Sequence, residues 1–124
     1  EVAVATPESF TVKTEHVERA EQYGSITITD DPLFAAKNAD VVYTDSYHYH
    51  SQLSEEEATA LAPYKVNNRI MAVAAGTAIF MHPLPARRGI EVAPEVIDGK
   101  QSIVYEQSEN KLHAIKALLA LLIK

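Results

Sequence analysis

Thr77-Ala78-Ile79-Phe80, followed by Met81-His82-Pro83-Leu84-Pro85-Ala86-Arg87-Arg88-Gly89, is the stretch on which the fold turns. The apolar run reads as a buried strand. Pro83 and Pro85 end it, because proline has no N–H for a ladder and fixes φ at about −65°. The loop that follows is therefore stiff. Its carbonyls are not consumed by ladder bonds and can face a ligand, with the guanidinium groups of Arg87 and Arg88 just beyond. In an open α/β sheet, loops at the carboxyl ends of strands are where ligands bind. The stretch thus predicts an architecture and a site together.

Working outward, the chain alternates strands with helices. Upstream, Asn67 or Asn68 caps a helix running through Ile70, Met71 and Ala74 that Gly76 stops. Ser54 with Glu57 three residues on forms a capping box for a helix over 54–62, ended by Pro63. Residues 39–44 are a strand with Asp45 just past its end, followed by a polar aromatic loop over 46–51. Asp30 or Asp31 caps a short helix with Pro32 in its first turn, residues 25–29 alternate as a half-buried strand, and Thr14 caps a helix over 14–23. The chain opens on an apolar strand over 2–5. Downstream come a helical turn over 93–97, a fifth strand over 101–105 and a last helix over 108–123. This alternation predicts an α/β fold: a doubly wound, mostly parallel, Rossmann-like sheet with helices on both faces.

At 124 residues, 47% apolar and 23% charged, the composition is that of one globular domain. A net charge of −6 without clustered Lys and Arg excludes a nucleic-acid surface. Without cysteine there is neither a disulfide framework nor a thiolate metal site, and a reducing compartment is permitted; the expected localisation is cytoplasmic. The C-terminal apolar run is broken by Lys116 and falls short of the roughly 20 residues of a membrane span. That last helix is apolar on more than one stripe, so it is expected to pack against two surfaces, the sheet and a second domain or subunit. A buried strand beginning at residue 2 suggests a longer parent chain.

Several motifs carry a family resemblance. They are Phe80 to Gly89, Glu91-Val92, Glu95-Val96-Ile97-Asp98-Gly99, Gln101-Ser102, Ser108-Glu109-Asn110-Lys111-Leu112-His113-Ala114, residues 39–45 and Tyr64-Lys65-Val66-Asn67. In order and spacing they resemble the C-terminal half of an ornithine carbamoyltransferase, within the aspartate/ornithine carbamoyltransferase family. The resemblance implies that residues 1–124 are the amino-acid-binding domain, lacking the N-terminal carbamoyl phosphate domain and their own domain's first strand and helix. It also implies a catalytic homotrimer, no cofactor, and transfer of a carbamoyl group from carbamoyl phosphate to an amine. Ornithine is the expected acceptor. Aspartate, putrescine or an acyl-ornithine is the alternative, as is a binding or assembly module without catalysis. An unrelated nucleotide-binding domain ranks last, since no Gly-rich phosphate loop follows any strand.

Site residues follow from the motifs. Asp45 matches the family's aspartate for the α-amino end of ornithine, and Tyr49 and His50 stand where the family has Ser and Met. Those two change the volume and polarity of the acceptor pocket. The family's His-Cys-Leu-Pro is His82-Pro83-Leu84-Pro85 here, the form typical of aspartate enzymes, while the Arg87-Arg88-Gly89 and Glu109-Asn110 contexts are of the ornithine type. The Pro83 and Leu84 carbonyls would hold the carbamoyl nitrogen. Lys111 replaces an arginine on carbamoyl phosphate, keeping the charge and losing the planar fork.

Structural readings stand beside these. Asp45 suits a cap for the loop after its strand, and His82 suits a histidine bonded to backbone. Arg87 and Arg88 suit surface ion pairs, the run Glu55-Glu56-Glu57 a solvated helix start, and Lys111 a helix-surface charge. His48 and His50 lie two apart with no third ligand, so no metal is expected.

Overall fold

The computed structural model describes residues 1–47 and 53–123. At its centre, β4 (Ile79–Met81) runs parallel to β3 (Val41–Tyr43), with Val41 opposite Ile79, Val42 opposite Phe80 and Tyr43 opposite Met81. Phe80 is wholly buried and sits in a core with Val42, Val66, Ile70, Val92, Val96 and Val104. A second parallel pair joins β1 (Val2–Ala5) to β2 (Ile26–Thr29) through α1 (Thr14–Glu21).

Local chemistry explains most helix starts. The Asp31 side chain accepts from the Leu33 N–H at 2.8 Å at the head of α2 (Pro32–Ala36). Ser54 and Glu57 exchange both bonds of a capping box before α3 (Glu55–Leu61), as the sequence predicts. Asn67 caps α4 (Asn68–Val73) by accepting from Arg69 and Ile70. Thr14 is not a cap. It is the first residue of α1, preceded by Lys13, whose side chain makes no capping bond.

The expected strand over 101–105 shrinks to one parallel bridge between Phe80 and Ser102. The Phe80 N–H donates to the Gln101 carbonyl at 2.7 Å, and the Ile103 N–H to the Phe80 carbonyl at 3.0 Å. From there the chain turns into helix: Gln107 donates to the Ile103 carbonyl, and α6 (Val104–Leu122) starts with Val104 buried. The run Ile103-Val104-Tyr105 has strand-like composition, but its apolar anchor packs from the first turn of a helix. The short α5 (Pro94–Ile97) precedes it. Beyond residue 107 every residue of α6 is exposed, with Leu112 at 58% and Leu121 at 78%. The expected packing of this helix along the sheet is therefore corrected: only its first turns meet the domain.

The two strand pairs are not bonded to each other. In a parallel ladder alternate residues bond to one neighbour while those between point to the other side. Val2 and Thr6 donate toward β2, and Thr44 donates to the Met81 carbonyl beside β3. Ala3 and Ala5 of β1, and Val41 and Tyr43 of β3, therefore aim their backbone groups into the space between the pairs. All four line that space. A cavity of about 250 Å³ is bordered by Ala5, Thr6, Tyr43 and Thr44, and another of about 680 Å³ by Glu1, Val2, Asp40 and Val41. Carboxyl ends of β1 and β3 thus meet at one end of the slot and amino ends at the other, so the facing edges run in the same direction.

Candidate functional site

The site lies where β3 and β4 end. β3 and β4 end level with each other, Tyr43 opposite Met81, so Asp45 and Pro83 each follow the end of their strand by two residues. The Thr44 N–H to the Met81 carbonyl continues the ladder past Tyr43. Asp45 is exposed, and its Oδ1 accepts from the Ser46 N–H at 2.7 Å, as expected of a loop cap.

Two residues of α6 clamp the β4 loop. Gln107 and Lys111 are four apart on one helix face. Gln107 Oε1 accepts from the His82 N–H at 2.9 Å, while its amide nitrogen reaches the Tyr43 hydroxyl at 3.5 Å. Lys111 Nζ donates to the Pro83 carbonyl. The cation that the sequence assigns to carbamoyl phosphate and the carbonyl it assigns to the carbamoyl nitrogen thus meet. Leu84 follows with φ of 53°, a left-handed backbone that costs an L residue about 1–2 kcal/mol. Its N–H donates to His82 Nδ1 at 3.0 Å, which helps hold that conformation. The Leu84–Pro85 peptide is cis.

His82 bonds to backbone, in agreement with its structural reading. Because Nδ1 accepts, the neutral ring carries its hydrogen on Nε2, which faces Glu91 Oε1 at 3.4 Å. That separation is within ion-pair range but lacks hydrogen-bond alignment, and Nε2 has no hydrogen-bond partner among the described residues. Both side chains are wholly buried. Glu91 also accepts from the Arg87 N–H, closing the loop from its far side. Nothing in the sequence singles out Glu91 except its place in Glu91-Val92; a buried carboxyl cannot be told from a surface one by pattern alone.

Tyr47, on the loop after β3, reaches the same buried cluster. Burial first, then the Glu91 charge, push its phenol up to about 12, with Thr44 opposing. A phenol with this shift favours the fold at neutral pH. Its contribution is whole below the unfolded value of about 10 and is lost as pH rises toward 12. Tyr47→Phe should therefore flatten the decline in stability between about pH 10 and 12. Urea melts at a series of pH values measure this; an undiminished slope would remove Tyr47 as its source.

Arg88 is not directed at a ligand. Its guanidinium grips Asp98 with two bonds at 2.8 and 2.6 Å, which raises the Arg88 pKa and lowers that of Asp98. This surface ion pair joins residues ten apart. Arg87 is exposed. Tyr49 and His50, assigned to the acceptor pocket, and His48 lie outside the described residues. Tyr47, Leu53, Ala58, Lys65 and Ile90 border a cavity of about 290 Å³.

A parallel α/β domain with its candidate site at two strand ends is what known families show as well. Residues 1–122 match the family described as aspartate/ornithine carbamoyltransferase, Asp/Orn binding domain. The chain belongs to this family. Ornithine carbamoyltransferase of Methanosarcina acetivorans is 44% identical over 100% of the chain and 42% of its own length. That of Caldicellulosiruptor saccharolyticus is 45% identical over 96% of the chain and 41% of its own length. Among solved structures, ornithine carbamoyltransferase from Pyrococcus furiosus superimposes with a TM-score of 0.89 at 41% identity, covering 98% of this chain and 41% of that one. The chain therefore spans about two-fifths of the length of such relatives. No helix among the described residues is long and apolar enough to cross a membrane.

Proposed function

We propose that this chain is the acceptor-binding domain of an ornithine-type carbamoyltransferase, acting with a carbamoyl phosphate domain outside these 124 residues. The observation that carries this reading is the meeting of Lys111 with the Pro83 carbonyl, two residues past β4, with Asp45 two residues past the level end of β3. A carbonyl oxygen has two lone pairs, so Pro83 can accept from Lys111 and from a carbamoyl NH₂ together. Leu84 adds the next carbonyl. Lys111 has three donors, and those not on Pro83 balance the charge of carbamoyl phosphate. Asp45 receives the ammonium end of ornithine, and Tyr49 and His50 complete the acceptor pocket. An amine attacks the carbamoyl carbon, an oxyanion develops and phosphate leaves, so catalysis rests on positioning and charge stabilisation.

The slot between β1 and β3 supports the missing strand of this domain: a parallel strand from outside the chain fits edges facing in one direction. The exposed apolar length of α6 supports a second domain or subunit against it. The assembled enzyme is proposed to be a cytoplasmic homotrimer.

The complete protein should form citrulline from carbamoyl phosphate and ornithine in preference to products from aspartate, putrescine or acyl-ornithine. Product from aspartate alone would overturn the subfamily. Lys111→Ala should raise the KM for carbamoyl phosphate about tenfold or more, the loss of one charge-assisted contact. Unchanged saturation by carbamoyl phosphate would remove Lys111 from the site.

A further inference from the structure

We propose that Glu91 is a positioning residue for this reaction, holding the loop from His82 to Arg87 from beneath so that Pro83 and Leu84 present their carbonyls to the substrate. The inference rests on the reading of that loop as the carbamoyl-holding one. Glu91 Oε1 is the shared point: the Arg87 N–H donates to it and His82 Nε2 faces it at 3.4 Å. His82 in turn receives the Leu84 N–H on Nδ1. One wholly buried carboxyl therefore spans both ends of the loop, reaching the Leu84 peptide through an imidazole and the Arg87 peptide directly.

Burial makes the arrangement costly without a return. A carboxyl removed from water loses its hydration, and Oε2 of Glu91 has no hydrogen-bond partner among the described residues. A core concerned only with stability would do as well with an apolar side chain of similar volume. What the carboxyl supplies that an apolar group cannot is direction. It selects the His82 tautomer with hydrogen on Nε2, leaving Nδ1 to accept from Leu84 at a residue with φ of 53°. With the other tautomer, Nδ1 would carry a hydrogen, the Leu84 N–H would lose its acceptor, and the left-handed turn would lose its tether. The carbonyls on either side of that N–H would then move, and a displacement of about 1 Å at a positioning group can cost about a hundredfold in rate. The Glu91 charge is also felt by the buried phenol of Tyr47, on the loop after β3.

The test uses Glu91→Ala and Glu91→Gln in the complete protein. Glutamine keeps an oxygen to accept from the Arg87 N–H and to face His82 Nε2, so it should retain kcat within about threefold, whereas alanine should lower kcat about thirtyfold or more with the acceptor KM within about twofold. Nitrogen-15 spectra of labelled histidine should give the Nε2–H tautomer for His82 in the parent and in Glu91→Gln. In Glu91→Ala that signature should be lost and the Leu84 amide resonance displaced. A Glu91→Ala protein that keeps its kcat would overturn the proposal, as would an unchanged tautomer and Leu84 amide. So would equal losses of kcat in both variants with no change in either resonance. If the parent transfers no carbamoyl group at all, the reaction assigned above falls. The spectra still decide whether Glu91 holds the loop, and should Glu91→Ala not fold, the parent tautomer and Glu91→Gln do so.

Discussion

In the complete protein, the backbone amides of Ala3, Ala5, Val41 and Tyr43 should exchange with solvent at least about a hundredfold more slowly than in the 124-residue chain. These alternate with residues bonded inside each strand pair, and the groups they aim at one another face an open slot. Backbone polar groups in a sheet interior are almost always paired, so a strand entering the slot would take up N–H and C=O groups on both edges. It would turn two pairs of strands into one continuous parallel sheet. Protection rises about tenfold for each 1.4 kcal/mol of opening free energy, and central strands open only with the whole domain. The amides of Val4 and Val42 point into their own ladders and serve as the internal control. They should be the slower set in the isolated chain, with the contrast closing in the complete protein. Equal exchange of the slot-facing amides in both forms would mean that no strand enters there.

What the sequence reveals, and what it hides, divides by the range of the interactions. β1 to β4, the capping box of Ser54 and Glu57, and the Asp31 and Asn67 caps rest on neighbours within four residues, and all are legible. Residues 101–105 fail because strand or helix there depends on Phe80, which takes one bridge and no more. Strand order is likewise nonlocal, so the separation into two pairs leaves no local sign. For the site, the motifs bring Pro83, Leu84, Asp45 and Lys111 to the same end of the sheet. The structure adds that Lys111 sits on Pro83 and that Arg88 is drawn away to Asp98. Gln107, which accepts from the His82 N–H, and Glu91, which faces the His82 ring, stay hidden, because a polar side chain placed under a loop has the same local pattern as one in water.

Phe80→Ala should destabilise the domain by about 3–5 kcal/mol, the range for truncating a buried aromatic ring. Domains hold only about 5–15 kcal/mol in all. The side chain is wholly buried in the middle strand position of β4, opposite Val42 and within the cluster formed by Ile70, Val92, Val96 and Val104. The Phe80 N–H and carbonyl both bond to the segment leading into α6, while Ile79 and Met81 on either side of it bond to the β3 side. Collapse around the missing ring is hindered, because the neighbours come from a strand, a loop and helices that are each capped or bridged in place. Denaturant melts of the complete protein give the loss directly, and a value under about 1 kcal/mol would show that the surroundings close over the cavity. Function separates this residue from Lys111. Lys111→Ala removes an exposed charge and should leave the melt within about 0.5 kcal/mol of the parent while weakening carbamoyl phosphate. Phe80→Ala should instead reduce the folded fraction first, and any folded enzyme should show a lower kcat, because His82 follows Phe80 by two residues and Gln107 holds it from α6. A Phe80→Ala protein with parental kcat and a large stability loss would mean that the carbonyl loop is held from Glu91 and α6 alone, independently of the strand that delivers it.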